Sequence, residues 1–285
     1  MSAPINWEEL SDLEQLDILS RPDSEHRFMA FINVAYCDES EQHRPPGVFL
    51  VSGYLGRGPD WFELGRKWRA ALKGKPFEAK GFHMSHCEAG KEPPYDTMSR
   101  QERDDHQHTF ISIINDTPLW AYAIAVETAP YLAMDQDPAV KARRGDYAGK
   151  PYYLGFHHTI QRMALVLEQG HFPYSECITF VFDQQKEYEG KALALYNDAK
   201  QAPLDFVHRL GAIQFDERTS SVQLQASDIW AYESMRHFRD VKLLGLRERP
   251  QFDLLRSVRT PAQMELGFFD HTALQRLGKR VGWLL

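Results

Sequence analysis

The sequence predicts an α/β fold: one mixed sheet flanked by helices, with helical and loop insertions. Three observations point there. Strand-like and helix-like stretches alternate along the chain. The strand-like ones are short and apolar throughout, as strands covered on both faces are. No repeat, low-complexity tract or Pro/Gly/Ser linker divides the 285 residues. The expectation is a single domain over 1–285, with its core at about 27–238 and a C-terminal helical extension over about 239–285. A chain of this length buries roughly three quarters of its unfolded surface, so a full core needs no staples.

The elements follow in order. Arg27–Cys37 (RFMAFINVAYC) is nearly all apolar and reads as the first strand, with Val48–Leu55 as its hairpin partner across the turn-like ESEQHRPPG. Pro59–Lys73 places Trp61, Leu64, Trp68 and Leu72 at helical spacing. KGFHMSHCEAGKEPPYD reads as loop and Ser99–Asn115 as helix; Trp120–Val126 is a third strand. Thr128–Lys150, with its Pro, Gly and KARRGDYAGK, reads as a mobile insertion. A helix at Tyr152–Glu168, a strand at Cys177–Phe182, a helix at Lys186–Lys200 and an edge strand at Arg209–Phe215 come next. The last strong helix is Ser221–His237, with Ser220 and Gln223 spaced as a capping box.

Composition narrows the function. Lys and Arg number 33 against 40 Asp and Glu, a net charge of −7. Proteins that coat long nucleic acids through phosphate contacts are usually basic, so any nucleic-acid contact here is local, metal-assisted or made to a short substrate. Charged residues at 26% and aromatics at 12% exclude disorder and coiled coil. No apolar run approaches the roughly 18 residues of a membrane span. MSAPINWEELSDLEQLD is acidic and unlike a secretory signal. Cys37, Cys87 and Cys177 are odd in number and form no CxxC pair, which excludes a disulfide framework or a four-cysteine zinc site. A reducing cytoplasm is the expected setting.

Carboxylates mark the candidate site. Three apolar strands each end in an acid: Asp38 after Cys37, Glu127 after Val126, and Asp183 after Phe182. Ligands sit at the carboxyl ends of parallel strands, although an acid just after a strand also serves as a turn cap. Asp228 is different, because it lies in SSVQLQASDIWAYESM with Leu224, Gln225, Ala231 and Tyr232 as its helical neighbours. A carboxylate on such a stripe must be paired, hydrogen-bonded or bound to metal. Clustered acids stay ionised only when cations neutralise them. Oxygen donors alone suit Mg²⁺ or Mn²⁺. Two such ions about 4 Å apart activate water and stabilise the leaving oxygen of a phosphodiester.

The strings AYCDES (Ala35–Ser40), FLVSGYL, FVFDQQ (Phe180–Gln185) and LQASDIWAYE (Leu224–Glu233) resemble a bacterial family catalogued as domain of unknown function 3800. Its members look like ribonuclease H-like nucleases. Its marks are an aspartate-glutamate-serine after the first strand, a middle acidic or histidine-containing segment, an aspartate closing a late strand, and a glutamine-x-alanine-aspartate helix start. Here Leu224-Gln225-Ala226-Ser227-Asp228 matches with serine in place of alanine; the alternative alignment inserts that serine. The resemblance covers roughly Phe28 to His237. It implies a ribonuclease H-like fold, Asp38, Asp183 and Asp228 as metal-binding catalytic acids, and His83 of FHMSHCEAG as auxiliary ligand or proton shuttle. Glu39 belongs to the first motif but faces away from Asp38 in a continuing strand. With Glu127 it is a secondary candidate.

Other features are weaker. His83, His86 and Cys87 lack a second pair at zinc-finger spacing, and His157-His158 sit adjacent on a helix, facing different ways. Phosphate-loop, dinucleotide-fingerprint and nucleophile-elbow motifs do not occur. RKWRAALKGK (with Arg66, Lys67 and Lys73), KARRGDYAGK (with Arg143 and Arg144) and RHFRDVKLLGLRERP could form a basic rim gripping a phosphate backbone. The expectation is a Mg²⁺- or Mn²⁺-dependent nuclease acting on RNA or DNA. A non-catalytic nucleic-acid or protein binding module on the same fold, and a nucleotide phosphotransferase, remain as alternatives.

Overall fold

The computed structural model describes residues 33–42, 45–168 and 177–284. Six strands form one mixed sheet: β1 (Asn33–Gln42), β2 (Val48–Arg57), β3 (Trp120–Glu127), β4 (Ile178–Asp183), β5 (Leu210–Asp216) and β6 (Met264–Phe269). Their order is β5-β4-β1-β2-β3-β6. β1, β2 and β3 make an antiparallel meander; β4 and β5 extend it in parallel beyond β1, and β6 extends it in parallel beyond β3. Strands β1, β3, β4, β5 and β6 therefore all point the same way.

Alternation along each strand divides the core in two. Val34 and Tyr36 of β1, Leu50 and Tyr54 of β2, and Ala121, Ala123 and Ala125 of β3 face a layer built from α1 (Gly58–Leu72), α3 (Arg100–Asn115) and α8 (Val222–Arg236). Ala35, Cys37, Phe49, Val51, Tyr122 and Ile124 face α6 (Pro151–Glu168) and α7 (Glu189–Gln201). Gly155 lets α6 lie directly on β2, since a Cβ there would stand 2.7 Å from Val51. Buried indoles find partners: Trp61 donates to the Val34 carbonyl at 2.9 Å and Trp230 to the Tyr122 carbonyl at 2.8 Å. Ser99 and Glu102 close a reciprocal capping box at the start of α3.

Several expectations need correction. β1 pairs with β2 along its whole length, to Gln42↔Val48, but with β4 only as far as Cys37↔Phe182. Asp38 and Glu39 thus lie inside the strand, not after it; residues 27–32 of the expected strand fall outside the described residues. The expected mobile insertion is folded into α4 (Thr128–Ala133) and α5 (Pro138–Arg144), with Tyr131 and Arg144 buried. Arg144 pairs with Asp135 at 2.5 Å and donates to the carbonyls of Tyr131 and Tyr147. The segment beyond 238 is not purely helical. A π-helical turn (His237–Leu243), α9 (Pro250–Ser257) and α10 (His271–Arg280) accompany β6, which joins the sheet. No capping box forms at Ser220, whose hydroxyl instead bonds Asp216 and the Glu217 carbonyl.

Among the described residues no helix is long and apolar enough to cross a membrane.

Candidate functional site

The site is assembled by register. The β1–β4 pairing ends at Cys37↔Phe182, so the next residues, Asp38 and Asp183, lie side by side, and positions paired in register project from the same face. Asp183 pairs with Asp216 on β5, and Asp38 with Ser52 on β2. One row therefore reads Asp216–Asp183–Asp38–Ser52, under α8. Asp216 is engaged by the amide of Glu217 and the hydroxyl of Ser220, which turns the chain toward α8. Ser52 is fully buried, and its hydroxyl has no hydrogen-bond partner.

Helix α8 supplies the fourth side. Ser227 donates to the Tyr36 carbonyl at 2.8 Å, so the serine at the motif's alanine position pins the helix across β1. The next residue, Asp228, is 5% exposed and accepts from the Met84 amide at 2.7 Å, Arg218 Nη1 at 2.9 Å and His83 Nδ1 at 3.2 Å. His83 precedes α2 (Met84–Ala89), and its ring lies on that of His86, 4.0 Å between centroids. Asp38, Asp183, Asp228 and His83 are thus brought to one end of the sheet.

Gln225 holds this corner together. Its Oε1 accepts from Trp68 Nε1 and from the Phe82 amide, each at 2.9 Å, and its Nε2 donates to the Arg218 carbonyl at 3.1 Å. Gly81 makes room: its φ is +74°, and a Cβ would stand 2.2 Å from the Gln225 amide nitrogen. The sequence had singled out Gln225 only as a motif letter and a helical neighbour of Asp228. Its position one turn before Asp228, inside an apolar helix, is the signal that marks it as a buried hydrogen-bonding hub.

Charge is unevenly met. Burial pushes the Asp38 carboxyl well above the usual carboxylate value, and Glu39, Asp228 and Asp183 push it further. Asp183 is also raised by burial, with Arg218 opposing. Burial acts on Asp228 too, but the His83 ring, Arg218 and the Met84 amide together hold it below its ordinary value. Arg218 escaped the sequence reading altogether. Its amide donates to Asp183 at 3.1 Å, and despite burial the charges of Asp228, Asp38 and Asp183 keep its guanidinium firmly protonated.

The secondary candidates lie apart. Glu39 points to the opposite face with both its oxygens buried, and burial followed by the charge of Asp183 raises it to about 8, the Gln185 side chain opposing. Glu127 immediately precedes α4 and pairs with Val48, four residues along from Ser52. That places it two strands across, about 10 Å, and about 13 Å further along the sheet.

The basic rim is largely spent on internal partners. Arg144 is buried and so is withdrawn from any surface that meets phosphate. Arg143 donates to the Trp283 carbonyl at 2.8 Å, Arg66 pairs with Glu63 at 2.8 Å, and Lys67 lies 4.0 Å from Asp116. Lys73 is exposed just past α1. Arg236 and Arg239 both pair with Asp240, and Arg249 turns inward to Glu233 and Glu88. His157 and His158 bond Tyr147 and Tyr122 respectively, as packing residues.

Comparison of the chain with protein-family models, curated proteins and solved structures finds no match. Among the described residues, no three His, Cys, Asp or Glu side chains stand in a ready-made metal-holding arrangement. The donor types are nevertheless those that a hard divalent ion takes. Asp38 is 3% exposed among like charges, and three carboxylates with an imidazole match Mg²⁺ or, with the nitrogen, Mn²⁺.

Proposed function

We propose that the chain is a metal-dependent nuclease of ribonuclease H-like fold, hydrolysing phosphodiesters of RNA or DNA. The observation that carries this reading is the convergence of Asp38, Asp183 and Asp228 at the shared end of parallel strands, with one guanidinium to balance them. The sheet is compatible with it: an antiparallel three-strand meander continued in parallel beyond β1 gives the mixed sheet flanked by helices that the reading requires.

Asp38, Asp183 and Asp228 would hold the ion, which, when bound, neutralises the acids, sharpens a water nucleophile and steadies the leaving oxygen. The chain's own groups do the rest. Asp228 fixes the His83 ring through Nδ1, leaving Nε2 as the nitrogen that exchanges a proton with the reacting group. Arg218 offers a guanidinium able to grip a phosphate in bidentate fashion. The apolar layers beneath the row keep bulk water from the sheet side, where charge interactions are strongest.

The test is calorimetric titration of Mn²⁺ and Mg²⁺ into wild type and Asp183→Asn, followed by cleavage assays on labelled RNA and DNA oligonucleotides and on mononucleotides. The expected result is saturable binding lost in the variant, with metal-dependent cleavage of the oligonucleotides. Absence of both binding and cleavage removes the reading in favour of a binding module. Turnover of mononucleotides alone points to a phosphotransferase.

A further inference from the structure

Arg218 has the features of a cation that is installed but replaceable. Its backbone is fixed on both sides, the amide donating to Asp183 Oδ1 at 3.1 Å and the carbonyl accepting from Gln225 Nε2 at 3.1 Å. The Glu217–Ser221 turn around it is closed by the Ser220 and Ser221 amides on the Glu217 carbonyl. The side chain is held far less firmly. One nitrogen, Nη1, meets Asp228 Oδ1 at 2.9 Å, whereas Arg249 grips Glu233 with two nitrogens, Nε at 3.0 Å and Nη2 at 3.2 Å. The Arg218 side chain is 26% exposed while that of Asp228 is 7%, so the guanidinium has a solvent-side exit that its carboxylate lacks.

The charge count sets the direction of exchange. Asp38, Asp183 and Asp228 face a single guanidinium of charge +1. A divalent ion carries twice that charge on a smaller radius and draws several oxygens into one shell, whereas the Arg218 side chain meets one, Asp228 Oδ1.

We propose that Arg218 is a built-in counter-ion that a divalent metal must displace, so that this residue sets the metal affinity of the site. The proposal rests on the metal-binding reading above. In the metal-free protein the guanidinium stabilises the acids and competes for them. When an ion enters, the side chain leaves through its exposed edge while the turn stays in place. Two cations in succession serve one set of carboxylates.

The experiment titrates Mn²⁺ calorimetrically into wild type, Arg218→Gln and Arg218→Lys, and melts each chain in chelator and in saturating Mn²⁺. Arg218→Gln should bind Mn²⁺ more tightly than wild type, on the order of tenfold, as expected when a competing interaction is removed. It should also melt lower than wild type in chelator, with Mn²⁺ restoring the difference; Arg218→Lys, which keeps the charge, should track wild type. Wild type that binds while Arg218→Gln binds equally or more weakly overturns the proposal and leaves the metal site standing. No saturable binding by any of the three removes the metal reading and this inference together. Should Arg218→Gln not fold, wild type carries the test. The Arg218 Nε–Hε nuclear resonance, assigned by its loss in Arg218→Lys, should shift saturably with Mg²⁺, and an unmoved resonance under calorimetric saturation overturns the displacement.

Discussion

Helix α8 carries buried carboxylates into two charge clusters, and the two are balanced differently. Toward its C-terminal half, Glu233 meets both forks of Arg249, which also reaches Glu88 at 3.1 Å, while Arg100 and Gln107 bond Glu88 from the other side. Two acids face two arginines. Burial alone would raise Glu88, yet Arg249, Arg100 and Gln107 bring it down to about 2. Glu233, fully enclosed, is still raised by burial, with Arg249 offsetting. One turn earlier, Asp228 joins Asp38 and Asp183 around one arginine, Arg218, with the His83 ring on Asp228 itself, and Asp38 and Asp183 stay above their ordinary values. Residue types are the same in both places; the arithmetic is not. A balanced cluster is a structural tie, and an under-neutralised one is where perturbed carboxylates and the proposed function meet.

If that contrast is sound, breaking the balanced cluster should cost the most stability. Arg249→Ala strips Glu233 of its two-pronged partner, and loss of one partner of a buried pair typically costs about 3 to 5 kcal/mol. Urea unfolding should show a lower midpoint with an unchanged slope; a shift within error would make the pair ornamental and dissolve the comparison. Gln225→Ala should come next, at about 2 to 4 kcal/mol, because Trp68 Nε1, the Phe82 amide and the Arg218 carbonyl all lose their partner. It should also tighten Mn²⁺ binding, because loosening the Arg218 turn weakens the competing guanidinium, a link that an unchanged calorimetric isotherm would break.

Much of this was readable from pattern, and the remainder was not for identifiable reasons. Helices such as α1 and α6 announce themselves by apolar spacing, and β3 by an unbroken apolar run. β6 does not: MELGFF is six residues with a glutamate and a glycine inside, none fully buried, and its strand character comes from pairing with β3. Asp38, Asp183 and Asp228 were legible because apolar surroundings make a carboxylate conspicuous. Arg218 was not, since an arginine in DERTSS looks like any solvated loop residue until β5 and α8 fold around it. Arg144 misled in the same way, for a charged run gives no sign that Asp135 and two carbonyls wait for one of its members.

The acid pH limb separates the two kinds of carboxylate by sign. A carboxyl whose folded pKa is raised favours folding while protonated. Its contribution is complete below the unfolded value, declines as pH rises and is gone above the folded value. For Glu39, raised from 4.5 to about 8, stability should fall across that window in metal-free protein. Asp228, held below 3.8, acts oppositely: its contribution is present above that value and is lost as pH falls through its folded pKa. Glu39→Gln should make the decline shallower, leaving the part due to the raised Asp38, Asp183 and Glu233, and raise stability at pH 8 by roughly 1 to 2 kcal/mol relative to wild type, read from melting curves between pH 5 and 8. A variant with the same decline would assign the slope elsewhere.

The smallest stability effect belongs to the residue at the centre of the proposed function. Asp38 is buried beside like charges, and the Glu39 amide donates to its Oδ1 at 2.9 Å. Asparagine keeps that acceptor and the side chain's shape while deleting the charge, so Asp38→Asn should leave the metal-free protein as stable as wild type, or more stable by about 1 kcal/mol. Saturating Mn²⁺, which stabilises any native state that binds it in proportion to occupancy, should then raise the melting temperature of wild type but not of Asp38→Asn, and nuclease turnover should disappear with that response. Collapse of the fold would move Asp38 into the class of Arg249, where charge is structural. Stability kept but metal response lost would set the two clusters apart by function as well as by charge balance.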